Sequence, residues 1–139
     1  KFKPLLYDQA GDLLDEIVVV KGSKKDILKV KKGFKVYKCE SEEMLRFVLE
    51  KTSVDLVYGM ENMNLKDSVH FVRSGMDNVM CKFAKGKIIG FNVNDIVDGK
   101  VMARMRLNIK LCKKYGVKIL LFGLNGKKDL EALGRVLGI

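Results

Sequence analysis

At 139 residues, with 47% hydrophobic and 32% charged side chains, the chain is sized for one domain with an ordinary packed core. No run approaches the roughly 18 consecutive apolar residues of a membrane helix, and the N-terminus lacks a signal-peptide pattern, so a cytoplasmic protein without a membrane partner is expected. The formal net charge of +10 points to a polyanionic partner, and three separated cysteines (Cys39, Cys81, Cys112) with no CxxC pair argue against a disulfide framework or a thiolate zinc site.

Short apolar runs rich in β-branched or aromatic residues predict strands at 16–20, 34–39, 54–58, 88–92 and 118–122. Segments with helical spacing separate them, at 24–32, 41–51, 75–85 and 100–115, and a last one follows at 127–137. Ser23 with Asp26 and Ser74 with Asp77 fit capping boxes, Ser41 and Asn125 can each cap a free backbone N–H, and Gly33, Gly86 and Gly116 stand where helices stop. The βα alternation predicts an α/β fold with a parallel sheet and right-handed crossovers. A complete eightfold barrel takes about 250 residues, so five or six βα units are expected to form a partial barrel or curved sheet within a single domain spanning 1–139.

Ligand-facing loops of such folds follow the C-terminal ends of the strands. The stretch 59–74 is long and carries Glu61, Asn62, Lys66, Asp67, His70 and Arg73, and the next loop offers Asn92, Asn94 and Asp95. The segment GLNGKKD, from Gly123 to Asp129, is either a phosphate-receiving helix start or an ordinary αβ connector. His70 is the single imidazole, and no GxSxG or Cys-His pattern accompanies it; a Mg²⁺ site from Glu61, Asp67, Asp77 and Asp95 has no recognisable spacing. No catalytic residue and no metal ligand is assigned.

Charge is unevenly placed. Residues 1–38 carry +5, residues 39–98 carry −3 and residues 99–139 carry +8. Lys100, Arg104, Arg106, Lys110, Lys113, Lys114 and Lys118 follow one another with no acidic residue among them, which reads either as a polyanion-binding face or as a solvated one. At 100° per residue Val101, Met105, Ile109 and Cys112 form a stripe toward the sheet, with Met102, Asn108 and Tyr115 at its edges. Arg106, Lys110 and Lys113 form a separate band. Leu107 and Leu111 fall outside the stripe, as a partner-docking pair or as residues buried under a neighbouring helix.

From about Val57 onward the chain resembles the archaeal and eukaryotic ribonuclease P protein component 3 family, the thirty-kilodalton subunit. The resemblance rests on HFxRSGxxxVxCK (His70 to Lys82), IGF (Ile89 to Phe91) followed by Asp95-Ile96, RxxxNIKLCKKY from Arg104, and the closing DLEALGxxLG. It covers more than half of the chain. The N-terminal region matches poorly, an early βα unit is missing, and lysines replace the usual arginines near the last loop, keeping charge but losing the bidentate fork.

The resemblance implies a TIM-like barrel related to metal-dependent phosphoesterases but without their ion ligands. It implies a non-catalytic subunit of an endonuclease whose RNA removes the 5′ leader of precursor tRNA. The implied partners are ribonuclease P RNA, a small RRM-like subunit, the other ribonuclease P proteins, and precursor tRNA through the holoenzyme. No cofactor is expected on this chain; Mg²⁺ is expected for the catalytic RNA. Arg73, Lys82, Arg104, Arg106, Lys110, Lys113, Lys114, Lys127 and Lys128 are the RNA-binding candidates, and Leu107 and Leu111 the partner-docking candidates. A small metal-dependent phosphoesterase of the parent barrel class and a pure protein-docking scaffold stand as alternatives.

Overall fold

The computed structural model describes residues 5–6, 17–63, 74–123, 132 and 134–138. Its strands are β1 (Leu5–Leu6), β2 (Ile17–Val20), β3 (Phe34–Lys38), β4 (Leu56–Tyr58), β5 (Ile88–Asn92) and β6 (Lys118–Phe122). The helices are α1 (Lys24–Lys29), α2 (Glu42–Lys51), α3 (Asn78–Phe83) and α4 (Gly99–Tyr115), with 3₁₀ turns at Met60–Asn62 and Val93–Asp95. The strands form one all-parallel sheet in the order β1-β6-β5-β4-β3-β2. Residues 134–137 are helical; apart from 132, the rest of the last predicted helix lies outside the described residues, as does Asn125.

Alternate strand residues separate the two faces of the sheet, as the twofold repeat of a strand requires. Val20, Tyr37, Val57, Ile89, Phe91, Ile119 and Leu121 join Ile27, Leu45, Val48, Met80, Met105 and Ile109 of the helices in one core. Val36, Leu56 and Leu120 form a second cluster with Phe34, Tyr58, Ile88 and Phe122, and no helix contributes to it. The four helices therefore cover one face, and the sheet is singly wound among the described elements.

Two close approaches shape it. Tyr58 on β4 and Phe122 on β6 meet edge to face at 5.4 Å although β5 runs between their strands. Gly90 on β5 makes this possible: a Cβ there would stand 2.9 Å from Phe122 Cε1 and 3.0 Å from Leu56 Cδ2. At the other end of the strands Lys87 Nζ donates to the carbonyls of Thr52 and Val54, both at 2.7 Å, and Lys35, buried, pairs with Asp55 at 3.6 Å. These contacts fasten the turn after α2 to the start of β5.

The expected capping box at Ser23 is present, and Ser41 caps α2. The second expected box is not formed. Asp77 is itself the N-cap of α3, accepting from Met80 N at 2.8 Å, while Ser74 is buried and donates to Met76 O. Gly75 explains the shift, since its φ of 93° breaks helical geometry between Ser74 and Asp77. Strand β1 was not expected, because two residues carry no readable periodicity; its pairing of Leu5 with Leu120 and Leu6 with Leu121 defines it.

Gly90→Val is expected to destabilise the fold by roughly 1–3 kcal/mol in urea denaturation, by forcing methyl groups into a filled space. The cost should shrink in a Phe122→Ala background, where the ring that valine strikes is gone. Equal costs in the two backgrounds would refute this steric account.

Candidate nucleic-acid interface

Helix α4 carries most of the candidate residues. Asp98 caps its start, accepting from the N–H groups of Lys100 and Val101 at 3.0 Å, and Gly116 closes it in the left-handed region at φ 68°. Val101, Met105, Ile109 and Cys112 are buried as the expected stripe. Fixing that stripe against the sheet sends Arg106, Lys110 and Lys113 to the outside, three and four residues apart on one ridge. Lys114 is exposed beside them, with its ammonium 5.5 Å from the Tyr115 ring centroid. The helix contains no acidic residue, and Arg106 and Lys110 form no ion pair among the described residues. Lys113 Nζ donates to Gly138 O at 2.8 Å. Lys82, exposed in the last turn of α3, stands on the adjacent helix.

The leucine pair divides. Leu107 is 39% exposed, whereas Leu111 is half-buried against the main core. Leu107 lines a groove of about 600 Å³ together with Ala103, Arg106, Lys110, Lys113 and Leu137. Leu107 faces the groove, while Leu111 packs inward because it stands three and seven residues after the buried Asn108 and Arg104, on the same side of the helix.

Arg104 also differs from its expected place. It is only 7% exposed, and its Nη1 donates to the Glu61 carbonyl at 3.5 Å, so it belongs to the interior rather than the outer cationic ridge. The reason lies one turn on, at Asn108. Asn108 Nδ2 donates to Glu61 Oε1 at 2.9 Å and to Ser74 O at 2.8 Å. Residues 104 and 108 are four apart, so both face the same inner edge of α4. Glu61 and Asn108 are enclosed almost completely. The sequence marks Asn108 by its place at the border of the apolar stripe and in the run RxxxNIKLCKKY, and neither names its buried partners.

Burial pushes the Glu61 carboxyl up to about 7; the hydrogen bonds from Asn108 and from its own backbone pull it down, and the nearby charge of Asp95 raises it again. Burial likewise pushes the Cys39, Cys81 and Cys112 thiols up, so none offers a ready thiolate near neutral pH. Among the described residues no three His, Cys, Asp or Glu side chains are grouped to hold a metal ion, and no helix is long and apolar enough to cross a membrane. Arg73, Lys127, Lys128, Lys66, Asp67 and His70 lie outside the described residues. No family model and no curated protein matches the chain.

The raised Glu61 carboxyl sets a pH dependence. The folded state holds this proton more tightly than the unfolded chain, so the contribution is complete below about 4.5 and is lost as pH rises through about 7. Its full size is roughly 3 kcal/mol, from about 1.4 kcal/mol for each pH unit of difference. Glu61→Gln, which keeps an acceptor for Asn108, is expected to remove this dependence and to be more stable than wild type at pH 8. Denaturation curves between pH 5 and 8 check it, and parallel profiles for the two proteins would contradict it.

Proposed function

We propose that the chain is a non-catalytic protein subunit of ribonuclease P that holds the catalytic RNA while that RNA removes the 5′ leader of precursor tRNA. The observation that carries this reading is the outward ridge of Arg106, Lys110 and Lys113 on a helix without a single carboxylate. Such a ridge suits phosphates, which it meets by charge and without base readout. The motif series from His70 to Gly138 supplies the family, and the singly wound parallel sheet is compatible with a shortened TIM-like barrel.

In this reading Lys82 and Lys114 flank the ridge, and Arg73, Lys127 and Lys128 stay RNA-binding candidates on the strength of the resemblance alone. Arg104 is withdrawn from RNA contact and positions the helix instead. The groove beside Leu107 favours an additional protein contact, which the reading gives to the small RRM-like subunit or another ribonuclease P protein. Mg²⁺ belongs to the catalytic RNA.

The test is the salt dependence of binding to ribonuclease P RNA. Each phosphate neutralised contributes roughly 0.7–0.9 to the slope of log K against log salt. Replacing Arg106, Lys110 and Lys113 by glutamine should weaken binding and lower that slope by about 2, while the melting temperature holds. An unchanged slope would contradict the assignment. Hydrolysis of a phosphate ester by the purified chain without RNA would instead support the phosphoesterase alternative.

A further inference from the structure

A second cationic face stands apart from α4. Lys21, Lys24, Lys25 and Lys29 are exposed on and before α1, and Lys31 and Lys32 are exposed in the turn that follows. Lys24 pairs with Glu43 at 3.4 Å and lies over the Phe47 ring. Asp26, the acidic residue of this helix, is occupied: its carboxylate accepts from the backbone N–H and hydroxyl of Ser23, which hold it below the usual carboxylate range, with Lys29 adding to the effect. Lys25, Lys31 and Lys32 form no ion pair among the described residues. Below them a hollow of about 190 Å³ is lined by Lys31, Lys35, Lys51 and Ser53. Lys35 is committed there to Asp55 and to the Gly33 carbonyl, and Lys51 pairs with Glu50 at 3.6 Å, which leaves Lys31 to face an incoming anion.

The sheet order separates this face from the first. Helix α1 crosses between β2 and β3 at one end of the sheet, and α4 crosses between β5 and β6 toward the other, with α2 and α3 intervening. Three strand spacings, roughly 14 Å, divide the crossovers. That distance exceeds the Debye length of about 8 Å at physiological salt, so the two faces act as separate fields. Between them α2 alternates its charge, with Glu43 paired to Lys24, Glu50 paired to Lys51, and Arg46 exposed.

We propose that the face formed by Lys25, Lys29, Lys31 and Lys32 is a second RNA-phosphate contact, and that the chain bridges two RNA segments, one on each face. The proposal rests on the RNA-holding reading and extends it, from a single ridge to a protein that fixes the spacing of two backbones. The contact is to phosphate and is sequence-independent, since lysines on a short helix and turn offer point charges without a bidentate fork.

Two short RNA duplexes, one carrying a donor and the other an acceptor fluorophore, test it when mixed with the chain at limiting protein. Wild type should bring the labels together and produce energy transfer that salt abolishes. A variant with glutamine at Lys25, Lys29, Lys31 and Lys32 should lose the transfer yet still bind one duplex, with a shallower salt slope. If that variant bridges as wild type does, the second face makes no RNA contact and the proposal falls, while the role of α4 stands. If the α4 variant also binds with unchanged slope, the RNA-holding reading fails as well. Vesicles containing phosphatidylserine form the control: a face that binds them and leaves RNA bridging unaffected by its removal belongs to a membrane surface, which also overturns the proposal. Melting curves of each variant confirm that it is folded.

Discussion

The amide of Asn108 sets the rotation of α4 on the sheet, and most of what the surface offers depends on that rotation. One side-chain nitrogen bonds Glu61 Oε1 and Ser74 O, which lie at the two ends of the segment 59–74. Turning the helix by a single residue, about 100°, would break both bonds and bring the cationic ridge toward the core. The apolar stripe alone leaves some latitude, because Met102 and Leu111 at its borders are themselves half-buried. The polar contacts remove it. A buried carboxylate costs desolvation, and apolar replacements of such clusters are often neutral or stabilising. The cluster is therefore better understood as fixing orientation than as adding stability.

That distinction explains why the strands and helices were readable from the sequence while parts of the site were not. Five strands follow from their β-branched and aromatic runs, and α4 follows from Val101, Met105, Ile109 and Cys112 recurring at helical spacing. Periodicity assigns a face to a residue by its hydropathy, and so it places every arginine outside. Arg104 goes inside because Glu61 supplies a carbonyl there, a contact forty-three residues away in sequence that no local pattern encodes. Leu111 takes the buried one of its two readings, since a border position can be covered by neighbouring side chains. Ser74 and Asp77 both fit a cap; the positive φ of Gly75 decided between them.

The layout of charge has the same origin. Each helix of a singly wound sheet exposes one outer face, and the order β1-β6-β5-β4-β3-β2 lays those faces side by side in sequence order. A chain with lysines concentrated on α1 and α4 thus becomes a surface with two cationic borders and helices of mixed charge between them. The function proposed for it rests on that placement together with the resemblance to the ribonuclease P component, and it requires no reactive group from the protein.

Reconstitution of precursor-tRNA cleavage with the catalytic RNA, with and without this chain, tests the central claim most directly. The account predicts that adding the chain, together with the small RRM-like subunit proposed as its partner, accelerates 5′-leader removal, and that the chain alone leaves precursor tRNA intact. Cleavage by the RNA that is unaltered by the chain under every partner combination would contradict it.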